Sequence, residues 1–162
     1  METASVDHWL ARLETLHPNP IDLGLERVAA VARALDLLPV AVPVVTVAGT
    51  NGKGSTVAVL EAILGGVGKR TGVYTSPHLL RFNERIRVGG VDAGDAEIIA
   101  AFRDVDDARG DTSLTYFEFA TLAALLVFRA RAVDVLVLEV GLGGRLDAVN
   151  IVDPTVAVIT RI

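Results

Sequence analysis

The run Val44-Val45-Thr46-Val47-Ala48 passes directly into Gly49-Thr50-Asn51-Gly52-Lys53-Gly54-Ser55-Thr56, and this junction constrains the chain more than any other segment. The first part is a short β-branched run of the kind found in strands covered on both faces. The glycines allow a sharp turn and let backbone N–H groups approach an anion closely. The helix that follows offers an N-terminus carrying roughly half a positive charge, and Lys53 adds a full one. The strict phosphate-loop spacing is not met: Val47 stands where the first Gly belongs, and Gly54 separates Lys53 from Ser55. Strand, loop and helix still occur in the order the motif requires. Thr50, Asn51, Gly52, Lys53, Gly54 and Ser55 are therefore read as ATP-binding residues rather than as a glycine-rich turn with a solvent-facing lysine.

The surrounding pattern places this junction in an α/β fold. Apolar residues recur at helical spacing over residues 8–16 and 25–38, with Pro18-Asn19-Pro20 forcing a turn between them. A helix is predicted over residues 54–64, stopped by Gly65-Gly66 and Gly68, with Lys69 and Arg70 as a basic end. Residues 72–75 read as the next strand, parallel to the first because the crossover is helical. Residues 77–94 read as an excursion with a short hairpin at Gly89-Gly90. Residues 95–108 fit a helix loosely and residues 116–131 fit one strongly. Residues 133–140 and 155–160 are near-continuous Val/Ile/Leu runs, again pointing to a parallel sheet covered on both faces. The chain stops directly after what reads as a central strand, with no helix following to cover it, so a fragment of a longer protein is expected.

Composition narrows the function. At 162 residues and 51% apolar, the chain can bury one core without staples. Its 15 basic and 20 acidic residues give a net charge of -5, which disfavours a nucleic-acid partner. The absence of cysteine excludes a thiolate nucleophile and Cys-ligated zinc. Glu2 and Asp7 do not suit a secretory leader, and apolar stretches such as residues 120–128 are too short to span a bilayer and read as buried helix. A cytoplasmic protein with no membrane partner is expected.

Glu139 ends the second buried run, and a carboxylate at that edge of a parallel strand faces the crevice where ligands bind in open α/β sheets. It suits a Mg²⁺ ligand and a catalytic role beside Lys53. The competing reading is an N-cap or an ion pair. Ser76, at the end of the 72–75 strand, is a second candidate oxygen ligand on the same rim, with a turn residue as the competing reading, and mechanism alone would nominate Ser55. Gly141-Leu142-Gly143-Gly144-Arg145-Leu146-Asp147 is suited to a substrate loop. His8, His17 and His78 have no metal-ligand spacing and are read as surface or packing residues. There is no Ser/His/Asp nucleophile elbow.

Four ordered motifs carry a wider resemblance: Gly49-Thr50-Asn51-Gly52-Lys53-Gly54-Ser55, Tyr74-Thr75-Ser76-Pro77-His78-Leu79, Ser113-Leu114-Thr115-Tyr116-Phe117-Glu118, and residues 138–148 from Leu138 to Ala148. With Ile21-Asp22-Leu23-Gly24-Leu25-Glu26-Arg27-Val28, they resemble the bacterial dihydrofolate synthase/folylpolyglutamate synthase family of the Mur ligase superfamily. The resemblance covers nearly the whole chain and explains the short Gly-Thr-x-Gly-Lys loop. It implies the central ATPase fold of Mur ligases, incomplete here, with a mostly parallel sheet flanked by helices. It also implies ATP-dependent addition of L-glutamate to dihydropteroate or a folate through an acyl phosphate. Carried onto this sequence, Thr50 to Ser55 would hold ATP, and Ser76 and Glu139 would ligate Mg²⁺. Pro20, Ile21, Asp22, Leu23, Thr115, Tyr116, Phe117, Glu118, Leu146, Asp147 and Ala148 would line the pterin site.

The same resemblance implies a further Asp-His metal motif, a carbamylated lysine and a C-terminal glutamate-binding domain, none of which lies within these residues. The expectation is an inactive N-terminal fragment, residues 1–162, of an enzyme that is monomeric at full length. The alternative is a non-catalytic nucleotide-binding module, and a phosphate-loop kinase is disfavoured by the spacing.

Overall fold

In the computed structural model, which describes residues 5–19, 21–142 and 144–162, the β-branched run forms strand β1 (Val44–Ala48). Two helices precede it, α1 (Val6–Leu16) and α2 (Glu26–Ala34). Ser5 caps α1 by accepting from the amide of His8. The second helix is shorter than the apolar spacing predicts: Leu35 caps it and Asp36 has a positive φ of 53°, so residues 35–38 leave the helix although Leu35, Leu37 and Leu38 still pack on the core.

The glycine loop after β1 opens α3 (Lys53–Gly66), with left-handed Gly52 (φ 83°) as N-cap. This helix runs through Gly65-Gly66, the expected stop. The stop is Gly68 (φ 79°), whose amide donates to Gly65 O while that of Lys69 donates to Leu64 O. These two bonds satisfy the helix's last carbonyls in a Schellman closure, and Lys69 and Arg70 lie beyond it. The chain continues into β2 (Thr71–Tyr74), then a hairpin of β3 (Ile86–Val88) and β4 (Val91–Asp92). Gly89 and Gly90 both take positive φ in its turn, as a two-residue hairpin of this hand requires. Helices α4 (Asp95–Arg109) and α5 (Tyr116–Ala130) follow, then β5 (Val135–Glu139) and β6 (Val156–Ile159).

The six strands form one sheet in the order β4-β3-β2-β5-β1-β6. The pairs β2/β5, β5/β1 and β1/β6 are parallel, and the hairpin joins β2 antiparallel. Period-two alternation divides the apolar residues between two faces. Val47, Val73 and Val137 meet Val57 of α3 on one side. Val44, Tyr74, Leu136 and Leu138 join the larger core of α1, α2, α4 and α5 on the other. Helix α5 is the centre of that core, with every residue from 118 to 128 buried, so its apolar run is core helix. Strand β5, between β2 and β1, is buried along its length. Strand β6 departs from expectation: it pairs only with β1 among the described residues, and Val156 and Ile159 are exposed. Its apolar run looks like that of a central strand because β-branched residues suit a pleated surface whether or not both faces are covered.

No helix among the described residues is long and apolar enough to cross a membrane.

Candidate functional site

The strand order reverses at β1: the chain passes from β1 outward to β2, while β5 returns between them and β6 lies on the other side. Ligands in open α/β sheets bind at the C-terminal ends of strands flanking such a point. Here the glycine loop after β1, Ser76 after β2 and Glu139 at the end of β5 share one rim.

The loop is tied down before it turns. The amides of Thr50 and Asn51 donate to Arg161 O at 2.9 and 3.3 Å, and Thr160 Oγ1 donates to Asn51 O at 2.7 Å. Of the six residues predicted for ATP, Thr50 and Asn51 thus spend their backbone donors on the segment after β6. Lys53, Gly54 and Ser55 form the first turn of α3, whose amides have no partner within the helix. Gly49 (136°) and Gly52 (83°) take positive φ, whereas Gly54 is helical. Lys53 Nζ folds back onto Gly49 O at 2.9 Å.

Ser76 and Glu139 come together. The Ser76 amide donates to Glu139 Oε2 at 3.1 Å, which sets the serine beside a buried carboxylate. Burial raises the Glu139 pKa, partly offset by that amide, Lys53 and Arg87. Two hard oxygen donors suit Mg²⁺, which binds through one or two protein groups and completes its shell with phosphate and water. Among the described residues no group of three or more His, Asp or Glu side chains could enclose a metal alone. Ser55, the alternative hydroxyl, lies in the first turn of α3 and is exposed.

The residues expected to line a pterin site converge. Ile21, Asp22, Leu23, Thr115, Tyr116, Phe117, Glu118, Leu146, Asp147 and Ala148 line one cavity of 380 Å³, together with Lys53 and Ser76. Pro20 lies outside the described residues, as does Gly143 of the substrate loop. Four of the lining side chains are large, apolar and solvent-exposed: Ile21, Leu23, Leu142 and Leu146. Exposed apolar groups grouped around a cavity mark a ligand surface rather than a core.

Several of these residues also have local duties. Thr115 and Glu118 form the capping box of α5, with the Thr115 amide on Glu118 Oε2 at 2.7 Å and the Glu118 amide on Thr115 Oγ1 at 3.2 Å. Arg27 holds Glu118 at 3.1 Å and Asp22 at 2.8 Å, and so ties the 21–24 loop to the start of α5. His17 completes that tie as a packing residue, accepting from the Asn19 amide and lying 3.5 Å from Asp22. Asp147 accepts from the amides of Gly141, Leu142 and Val149. Burial raises its pKa, against those three amides and Lys53.

Sequence reasoning missed Arg85, Pro77 and Gly24 as lining residues. Arg85 is one of several charges in the 77–94 excursion, and nothing in spacing separates it from Arg81 or Arg87. His78, read from the sequence as a surface or packing residue, accepts from Arg85 Nε at 2.8 Å. Its pKa is lowered by burial and by that arginine.

No protein-family model matches the chain. Among curated proteins, the dihydrofolate synthase/folylpolyglutamate synthase of Escherichia coli is 56% identical over 154 residues, covering 95% of this chain and 36% of its own length. Among solved structures, Escherichia coli FolC in complex with DHPP and ADP superposes with a TM-score of 0.95 at 54% identity, over 99% of this chain and 39% of that one. A bifunctional folylpolyglutamate synthase/dihydrofolate synthase with Mn, AMPPNP and L-glutamate bound gives a TM-score of 0.92 at 56% identity, over 97% and 38%. The chain thus spans a little over a third of the length of the relatives it matches, and by sequence and backbone alike it belongs to the dihydrofolate synthase/folylpolyglutamate synthase family.

Proposed function

We propose that these residues are the ATP- and acid-binding portion of an ATP-dependent ligase that joins L-glutamate to dihydropteroate, to a folylpolyglutamate, or to both. The observation that carries this reading is the single cavity in which Lys53 and Ser76 at one end meet exposed apolar and aromatic side chains at the other. A flat heteroaromatic acid fits such a space with its ring system between Ile21, Leu23, Phe117 and Leu146. Its carboxylate then lies toward the phosphate loop.

In the reaction, a carboxylate oxygen of the acid attacks the γ-phosphorus of ATP, the bond to the bridging oxygen breaks, and ADP leaves. The amine of glutamate then attacks the acyl carbon, phosphate departs, and the amine proton is lost. The first turn of α3 and Lys53 hold the transferring phosphoryl group, as N-terminal amides and a lysine do in phosphate-loop sites. Glu139 and Ser76 would hold Mg²⁺, which draws charge from the phosphate oxygens. Thr115 and Glu118 fix the start of α5, so that Tyr116 and Phe117 present their rings to the acid. Asp147, anchored by three amides, offers its remaining acceptor capacity to ring N–H groups of the pterin. The acceptor for the glutamate amine's proton and the seat for glutamate belong to the part of the enzyme that this chain does not span. A cytoplasmic monomer is the form in which this reading places the whole enzyme.

Separate calorimetric titrations of ATP with Mg²⁺ and of dihydropteroate test the reading. Binding of both is the expected result, with nucleotide affinity falling in Lys53→Ala. Nucleotide binding without pterin binding would make the chain a nucleotide-binding module and overturn the ligase reading.

A further inference from the structure

Five charged side chains line the cavity: Asp22, Lys53, Arg85, Glu118 and Asp147. The three acids already have partners. Asp22 and Glu118 are paired with Arg27, and Asp147 is held by three backbone amides. Lys53 is engaged within the phosphate loop through Gly49 O and lines a second cavity with Gly49, Thr50 and β6 residues.

Arg85 lines the first cavity and not the second. Among the described residues it forms no ion pair, and the one hydrogen bond of its side chain runs from Nε to His78 Nδ1 at 2.8 Å. The guanidinium is nonetheless firmly placed. It lies 5.5 Å from the Tyr116 ring centroid and 5.8 Å from that of Phe82. Those rings continue into the aromatic core, with Phe82 against Phe102 at 5.4 Å and Phe102 against Phe119 at 5.7 Å. A guanidinium has five N–H donors, of which the Nε–H alone is spent on protein, so the Nη donors remain for a ligand. A planar cation stacked on aromatic faces, with its fork free, is the arrangement that takes a carboxylate through two parallel bonds.

We propose that Arg85 is the residue that receives the carboxylate of the acid substrate, resting on the ligase reading given above. Two facts favour this carboxylate over a nucleotide phosphate. Arg85 is absent from the second cavity that Lys53 borders, and its neighbour Tyr116 belongs to the aromatic wall of the acid cavity. The placement also answers an electrostatic need, since the carboxylate must approach a polyanion and a cation on the acid's own side reduces that repulsion. Arg85 would thus select acids and orient them, while Lys53 and the α3 amides hold the phosphate.

The test is a calorimetric comparison of dihydropteroate with its neutral carboxamide, on the unaltered protein and on Arg85→Gln and Arg85→Lys. The unaltered protein is expected to favour the acid. Arg85→Gln should weaken the acid by about tenfold to a hundredfold and the amide by less than about threefold, with ATP affinity unchanged, and Arg85→Lys should restore part of the loss. Equal weakening of acid and amide would assign Arg85 to packing and overturn the proposal, as would no weakening of either. Failure of the unaltered protein to bind either compound would remove the ligase reading itself, a result distinct from a failure of Arg85 alone.

Discussion

Gly49 and Gly54 belong to the same loop, and the structure gives them opposite constraints. Gly49 has a φ of 136°, and a Cβ there would collide with Thr160 Oγ1. Gly54 is helical with open space around it. Gly49→Ala should therefore destabilise the fold by about 1–3 kcal/mol. Gly54→Ala should leave stability unchanged or raise it by up to about 1 kcal/mol, yet weaken nucleotide binding, because its Cβ occupies the space above the helix N-terminus. Urea midpoints and ATP titrations separate the two, and full ATP affinity in Gly54→Ala would move the phosphate elsewhere. The sequence showed three glycines near a lysine but could not assign their dihedrals, which depend on where Thr160 and Arg161 return to the loop. Asp147 gives a pH prediction. Burial raises its pKa above the ordinary 3.8, so the folded state holds the proton more tightly than the unfolded chain. The linked stabilisation is complete below the unfolded value and is lost as pH rises through the higher native one. The stability of the unaltered protein relative to Asp147→Asn should therefore fall as pH rises from the unfolded value of 3.8 through the raised native one. A rise over that interval would mean that the three amides outweigh burial.

At the level of elements, β2 fits closely against α5. A Cβ on Gly72 would lie 2.8 Å from a ring atom of Phe128 and 2.9 Å from Leu136. Gly72→Ala should cost about 1–3 kcal/mol by overpacking, and Phe128→Leu in the same chain should recover part of that cost. Simple additivity in denaturant unfolding would show that the two sites do not press on each other. Elements with strong local signals were legible: β1, α5 and the Gly89-Gly90 hairpin follow from β-branching, apolar periodicity and a two-glycine turn. The ends of α2 and α3 were less so. Leu35, Leu37 and Leu38 continue an apolar pattern because they still pack on the core after the helix has ended, and Gly65-Gly66 tolerate helix until Gly68 supplies the left-handed stop. Cavity residues that sit in motifs were readable as a set, whereas Arg85 was not. It reaches the cavity through the Phe82–Arg85 turn just before β3, which sets its guanidinium 5.5 Å from the Tyr116 ring centroid, a placement that no local spacing shows.

Across the whole molecule, the sheet delivers two cavities that share Lys53, one walled by apolar and aromatic groups and one bordered by β6. The phosphate and acid sites of the proposed reaction are both built by elements of this chain: the α3 turn for phosphate, and the 21–24 loop, the start of α5 and the Asp147 loop for the acid. Binding should therefore survive in these 162 residues. Turnover needs more. The described acids in the cavity are held by Arg27 or by amides, and its two cations are assigned to phosphate and carboxylate, so no charged pair remains to seat an amino acid. The relatives in question are nearly three times as long as the span they share with this chain. The 162-residue protein is accordingly expected to bind ATP with Mg²⁺ and dihydropteroate in separate titrations while showing no glutamate-dependent ADP release. Such release above the rate without glutamate would place the glutamate seat inside this sheet. It would also return Glu118 or Asp147, here given structural and pterin-binding duties, to the list of groups that could receive the amine.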